Sequence, residues 1–247
     1  MNVTRNIKAI PILMYHSLSI PSPDEVMRSI HVRPHSFSRQ MKLLKTLGYR
    51  GVGLTELEPY LLGLKTGKVV GITFDDGYSN NLKFAAPILA KYGFGATCYV
   101  VSSAIGSSNY WDRGLGIPHN PIMDNHELRE WKRLGFELGC HTDTHKDLNS
   151  LDPKQQEFEI LTGKQKLEDI LGMPVTDFCY PYGRYSQTTV RIVQSLEFRT
   201  ATTMKRGRVT NNDHLLELPR IPITFHTLSH LFLLKILTRY EDRRKIN

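Results

Sequence analysis

Strands alternating with helices along the whole chain predict an α/β protein with a parallel sheet and helices outside it. Two observations narrow the class. Seven strand units are legible, one fewer than in a (β/α)8 barrel, and polar, chemistry-bearing residues recur just after the strands. The dinucleotide fingerprint is missing, because Gly51-Val52-Gly53 has no third glycine and no clear strand before it, but an open doubly wound sheet stays the alternative architecture. With 247 residues and no internal repeat, low-complexity tract or linker, residues 1–247 read as one domain.

The elements follow in order. Residues 7–15 read as the first strand, ending at His16, and a polar, proline-bearing loop covers 17–34. Ser36 is placed to cap a helix to Leu47, with Phe37, Met41 and Leu44 at helical spacing and Gly48 ending it. Thr55 and Glu58 suggest a capping box for a short helix over 56–62. The apolar run 68–74 is the second strand. It carries Thr73-Phe74-Asp75-Asp76-Gly77-Tyr78, and a helix over 79–91 follows. Residues 95–101 form the third strand, and the irregular stretch 102–121, with Trp111, has a length usually reserved for functional loops. Asp124, with Glu127 three residues on, caps a helix to 134, and strand 136–140 runs into His141. Asp152-Pro153 opens a helix that Gly172 stops. Strand 178–180 leads to Pro181-Tyr182-Gly183, then come a helix over 186–196, strands 199–203 and 218–223, and a last helix over 227–240.

Composition excludes some functions. The net charge of +8 permits an anionic partner, such as an acidic glycan or a phospholipid surface. Nucleic acid is not expected, because no Lys/Arg stripe with interleaved aromatics appears. The three cysteines, Cys98, Cys140 and Cys179, lack Cys-x-x-Cys spacing and fall in strands, so buried thiols are expected. With no signal-like segment and no run of about 18 apolar residues, the chain reads as cytoplasmic. The last helix joins Leu231, Phe232, Leu234 and Leu237 to a basic end from Arg239 to Lys245. It either closes the barrel or rests peripherally on the inner membrane face.

In a parallel α/β fold the carboxyl ends of the strands share one face, where ligands bind. His16, Asp75-Asp76, His141 to His145 and Pro181-Tyr182 should therefore converge. His141-Thr142-Asp143-Thr144-His145 sets two imidazoles four residues apart. Two histidines and a carboxylate are a common set for a catalytic divalent ion, and imidazole favours Zn²⁺. The alternative is that Asp75-Asp76 caps the next helix and the histidines lie on the surface.

Thr-Phe-Asp-Asp-Gly followed by His-Thr-x-Thr-His resembles the polysaccharide deacetylases (carbohydrate esterase family 4, the NodB homology group), from the first strand through Leu218-Pro219-Arg220-Ile221-Pro222. The resemblance implies a distorted (β/α)7 barrel, loss of N-acetyl groups from an amino-sugar polymer, oligosaccharide or lipid-linked precursor, and a divalent metal. It casts Asp75 as catalytic base, Asp76, His141 and His145 as metal ligands, and the Tyr182 backbone N–H as oxyanion donor. The family's third motif carries an arginine that orients the base, where this chain has Cys179. Arg220 is the candidate replacement, with an ordinary structural ion pair as the alternative. The family's late histidine motif is also absent, since His226 and His230 do not sit in it. Met14-Tyr15-His16 resembles a subgroup in which an N-terminal histidine, here His16, is the general acid. Asp143 is read as either a substrate contact or a loop hydrogen-bond acceptor, and Trp111 as a sugar-stacking or loop-packing residue. Deformylation, cyclic-amide opening and an inactive carbohydrate-binding protein are the competing functions.

Overall fold

A computed structural model describes residues 7–244. Eight strands occur: β1 (Ile12–Tyr15), β2 (Arg50–Val52), β3 (Val69–Phe74), β4 (Thr97–Val100), β5 (Glu137–Cys140), β6 (Asp177–Cys179), β7 (Thr200–Arg206) and β8 (Leu218–Pro222). Every strand pairing is parallel, and β1 pairs with both β8 and β3, so seven strands close into a barrel. This is the predicted (β/α)7 barrel. The eighth strand, β2, is an addition that the sequence reading did not find. It pairs with the first half of β3, from Arg50↔Val69 to Val52↔Gly71, whereas β4 pairs with the second half at Thr73 and Phe74. The Gly95 N–H donates to the Gly51 carbonyl at 2.9 Å, so β2 fills the wedge between β3 and β4.

Seven α-helices cover the barrel: α1 (Pro34–Thr46), α2 (Leu54–Leu61), α3 (Ala86–Tyr92), α4 (Asn125–Arg133), α5 (Pro153–Leu171), α6 (Gln187–Ser195) and α7 (Ser229–Leu237). The capping box of Asp124 with Glu127 forms, Asp152 caps α5 ahead of Pro153 as predicted and adds a capping box with Gln155, Ser186 caps α6, and Gly172 ends α5 at φ 65°. Two predicted starts shift. Pro34 with its fixed φ opens α1, with Arg33 at the N-cap in place of Ser36. Thr55 and Glu58 form no capping box. The β5 carboxylate of Glu137 accepts the Thr55 and Glu56 N–H groups, and Glu58 pairs with Arg199. The predicted helix 79–91 opens as a π-helical turn over Asn81–Ala85 before α3 begins.

The main core lies between the sheet and its helices, around Phe37, Phe74, Trp131 and Phe178. All three cysteines are buried and free, as expected. The last helix is shorter than predicted. It packs Phe232 and Ile236 into the core, and Lys235 reaches both the Pro222 carbonyl of β8 and the buried Glu241.

Candidate active site

Strand β3 is buried along its whole length and delivers Asp75 and Asp76 to the carboxyl end of the barrel. In an extended chain adjacent side chains point to opposite faces. Here Asp76 adopts the left-handed conformation at φ 72°, which lets both carboxylates serve one cavity while Gly77 continues the turn. Three more non-glycine residues at the site are left-handed: Thr142, His145 and Tyr182, at φ 65°, 60° and 57°. Each such residue costs on the order of 1–3 kcal/mol, and such strain collects at functional sites.

Asp76, His141 and His145 form one group. The Asp76 Oδ1 lies 3.5 Å from the Nε2 of each histidine, and their candidate ligand atoms all fall within 4.8 Å of one another. The His141 Nδ1 sits 2.7 Å from the Cys179 carbonyl, which can only accept, so Nδ1 carries a proton and the ring turns its Nε2 toward Asp76. The His145 Nδ1 lies 3.1 Å from the Tyr182 hydroxyl. One carboxylate and two oriented imidazoles around a common point fit a divalent ion. Burial alone would raise the Asp76 carboxyl, but the histidines hold it far below the ordinary range. Burial also pushes the His145 imidazole down to about 3, with the neighbouring His141 adding to it, so His145 is neutral at pH 7, as a ligand must be.

Asp75 has a different partner. Arg220 of β8 grips it through two hydrogen bonds, of 2.6 Å to Oδ1 and 2.7 Å to Oδ2. The guanidinium is 1% exposed and also donates to the Thr203 carbonyl, the Thr73 hydroxyl and the Cys179 sulfur. Burial pushes the Asp75 carboxyl up, and Arg220 more than offsets this, leaving it below its usual value. The pairing with Asp75 that the sequence offered for Arg220 is therefore present. The His16 Nε2 lies 3.8 Å from the Asp75 Oδ2. His16, Asp75, Asp76, His141, His145 and Tyr182 thus all line one cavity of about 250 Å³.

Other candidates resolve as follows. Asp143 accepts from Ser102, Ser103 and Lys166 and is a loop-holding residue, not a wall of the cavity. Trp111 lines the cavity and packs on His145, with ring centroids 4.6 Å apart. Cys140 points away, toward the Ile160 carbonyl. His226 and His230 lie outside the cavity. Among the cavity residues to which the sequence reading gave no role, Asp112 and Tyr78 carry ionisable groups. Asp112 follows Trp111, and burial raises its carboxyl. Tyr78 is fully buried, and its hydroxyl makes no hydrogen bond within ordinary limits among the described residues. Tyr78 stood in the quoted motif, so its position was the available signal.

Helix α5 holds the His141–His145 loop from behind. Glu159 accepts the Thr144 N–H at 2.9 Å and the Thr144 hydroxyl at 2.6 Å, and its carbonyl accepts the Asp143 N–H. Gly163 permits this approach, since a Cβ there would stand 2.6 Å from the Thr142 carbonyl carbon.

The sequence model described as Polysaccharide deacetylase matches residues 63–201. YxkH of Bacillus subtilis, named for the same family, is 30% identical over 217 residues, covering 87% of this chain and 71% of that protein. A poly-beta-1,6-N-acetyl-D-glucosamine N-deacetylase of Staphylococcus aureus is 27% identical over 224 residues, covering 85% of this chain and 73% of the relative. Among solved structures, the Streptococcus pyogenes deacetylase PplD in complex with acetate has a TM-score of 0.81 at 29% identity, covering 94% of this chain and 99% of that one.

Proposed function

The chain belongs to the polysaccharide deacetylase family, and from that premise we propose that it is a metal-dependent hydrolase that removes N-acetyl groups from an amino-sugar glycan. The observation that carries this reading is the division of labour between neighbouring aspartates: Asp76 faces two imidazoles and Asp75 faces one guanidinium.

Asp76, His141 and His145 would hold the ion. Zn²⁺ suits their donors, and when bound it supplies a Lewis acid for the amide carbonyl and lowers the pKa of water. Asp75 accepts the proton of the attacking water, and Arg220 keeps it ionised and fixes both its oxygens. The Tyr182 backbone N–H donates to the developing oxyanion. His16 gives a proton to the departing amine, so that acetate and a free amino sugar are the products. The substrate reading is an N-acetylated polymer or oligosaccharide. A lipid-linked precursor is the second form, supported by the apolar cavity walls at Met14, Met27, Ile117 and Met204.

Incubation of the metal-loaded protein with N-acetylglucosamine oligomers should release acetate, with N-formyl and lipid-linked analogues assayed in parallel. Absence of turnover on every N-acetylated sugar while metal is bound would overturn the reading. In that case N-formyl turnover selects deformylation, and glycan binding without turnover selects a carbohydrate-binding protein.

A further inference from the structure

Helix α7 and the segment after it form a surface that the hydrolytic site does not use. Leu228, Leu234 and Leu237 stand 58%, 41% and 47% exposed, although Phe232 and Ile236 of the same helix are buried. An apolar stripe left in water beside a buried one is not explained by closing the barrel.

The charges beside the stripe are arranged unevenly. Residues 235–244, with Arg206 and Arg208 against which they pack, carry six basic side chains and two acidic ones. Both acids are engaged inward: Glu241 with Arg206 and Lys235, and Asp242 chiefly with Arg208. Arg239, Arg243 and Arg244 are left on the outside, lining a groove with Leu234, Thr238 and Tyr240. Arg239 is 78% exposed, and its contact with Asp242 is a loose 3.9 Å. Arg244 lies over the Tyr240 ring at 4.5 Å, a placement that suits the boundary between water and a less polar phase.

The stripe also runs toward the catalytic cavity. Thr224 lines that cavity, and the adjacent Phe225 carries the Arg28 and Arg33 guanidiniums over its ring at 4.6 and 4.1 Å. Met27, next to Arg28, is both a cavity wall and 49% exposed. The edge formed by residues 224–244 therefore presents, in chain order, a cavity wall, a ring carrying two arginines, the exposed leucines and three more arginines.

We propose that this edge docks on an anionic phospholipid surface, with the leucines entering the interface and the arginines meeting headgroup phosphates. The apolar component selects a bilayer over a soluble polyanion, because a dissolved chain of phosphates or sulfates offers nothing for Leu234 and Leu237 to enter. The basic component selects anionic over zwitterionic lipid. No helix among the described residues is long and apolar enough to cross a membrane, and docking of this kind requires none.

The test is co-sedimentation of the full chain with phosphatidylcholine vesicles and with vesicles containing phosphatidylglycerol. Binding is expected to the anionic vesicles only and to weaken with salt. Arg239→Glu/Arg243→Glu/Arg244→Glu should lower affinity on the order of 100-fold, at about 1 kcal/mol per basic residue. Leu234→Ser/Leu237→Ser should lower it about tenfold. Arg243→Glu alone, at an exposed position, keeps the test open should the triple variant fail to fold. Acetate release from soluble oligomers, measured in the same samples, should be unchanged by all three variants, so a failure of the hydrolase reading would appear separately. The proposal is overturned if the anionic vesicles leave the protein in the supernatant. Equal binding to both vesicle types overturns it as well. So does wild-type vesicle binding by the leucine variant, which points to a polyanion site.

Discussion

Asp75 and Asp76 are chemically identical neighbours, and their surroundings alone separate their roles. Asp75→Asn keeps the shape and the Arg220 contact on one oxygen but removes the proton acceptor. It should lower kcat by roughly 10²–10⁴ and leave metal content, measured by atomic emission, unchanged; activity within threefold of wild type would exclude Asp75 as the base. Arg220→Met tests the partner. With the guanidinium gone, burial acts on Asp75 unopposed and its carboxyl rises. Because the base works only when ionised, the acid limb of the kcat/KM profile should move to higher pH, and a profile that overlays wild type removes Arg220 from catalysis. The sequence announced the aspartates and histidines because each group is a local motif. It did not announce Arg220 with the same force. That residue sits in an ordinary strand, Leu218 to Pro222, and meets Asp75 across 145 positions. Asp112 was missed for a related reason, since only the folded cavity distinguishes it from other polar residues in loops, whereas Tyr78 stood in the quoted motif without being given a role.

At the scale of elements, α5 matters more than its polar surface suggests. A glycine inside a helix reads from sequence as a cost of about 1 kcal/mol, and nothing local reveals that Gly163 faces the loop bearing His141 and His145. Gly163→Ala should push Thr142 outward and tilt His141 and His145, lowering metal affinity about 10–100-fold, as changes behind a ligand do. Competition with a chromophoric chelator measures this, and an unchanged affinity would mean that the loop holds its shape without α5. The helix ends that rest on local chemistry, Asp124, Asp152, Ser186 and Gly172, were legible for that reason. The start of α2 was not, because its cap comes from Glu137 on β5, 82 residues from Thr55. Strand β2 was hidden by its length of three residues with a glycine at its centre.

For the whole molecule, the alternation of strands and helices was enough to predict a parallel sheet covered by helices, since each helix must cover the sheet and the connections have one favoured hand. It left an open sheet as the alternative, and the family resemblance was what implied the closed barrel. What alternation does not carry is how the ring closes, which depends on β1 pairing with β3 and β8 together. The proposed metal site spans the ends of β3 and β5, so loading it should stabilise the entire fold. At an ion concentration about 100 times Kd the gain is about 2.7 kcal/mol, or about 5–11 °C in Tm for a chain of this size. Removing the ion with a chelator should lower Tm by that amount in scanning calorimetry, and an unchanged midpoint would argue that no ion is bound.

The placement of Arg220 has a consequence in time. During synthesis the strands bearing Asp75, Asp76, His141 and His145 leave the ribosome well before β8. The guanidinium bridges β3, β6 and β7 through Thr73, Asp75, Cys179 and Thr203, so it finds its seat only when the last strand enters the ring. A nascent chain can therefore bring Asp76, His141 and His145 together while Asp75 is still unbraced, and the Arg220 contact forms late in assembly, once β8 is in place.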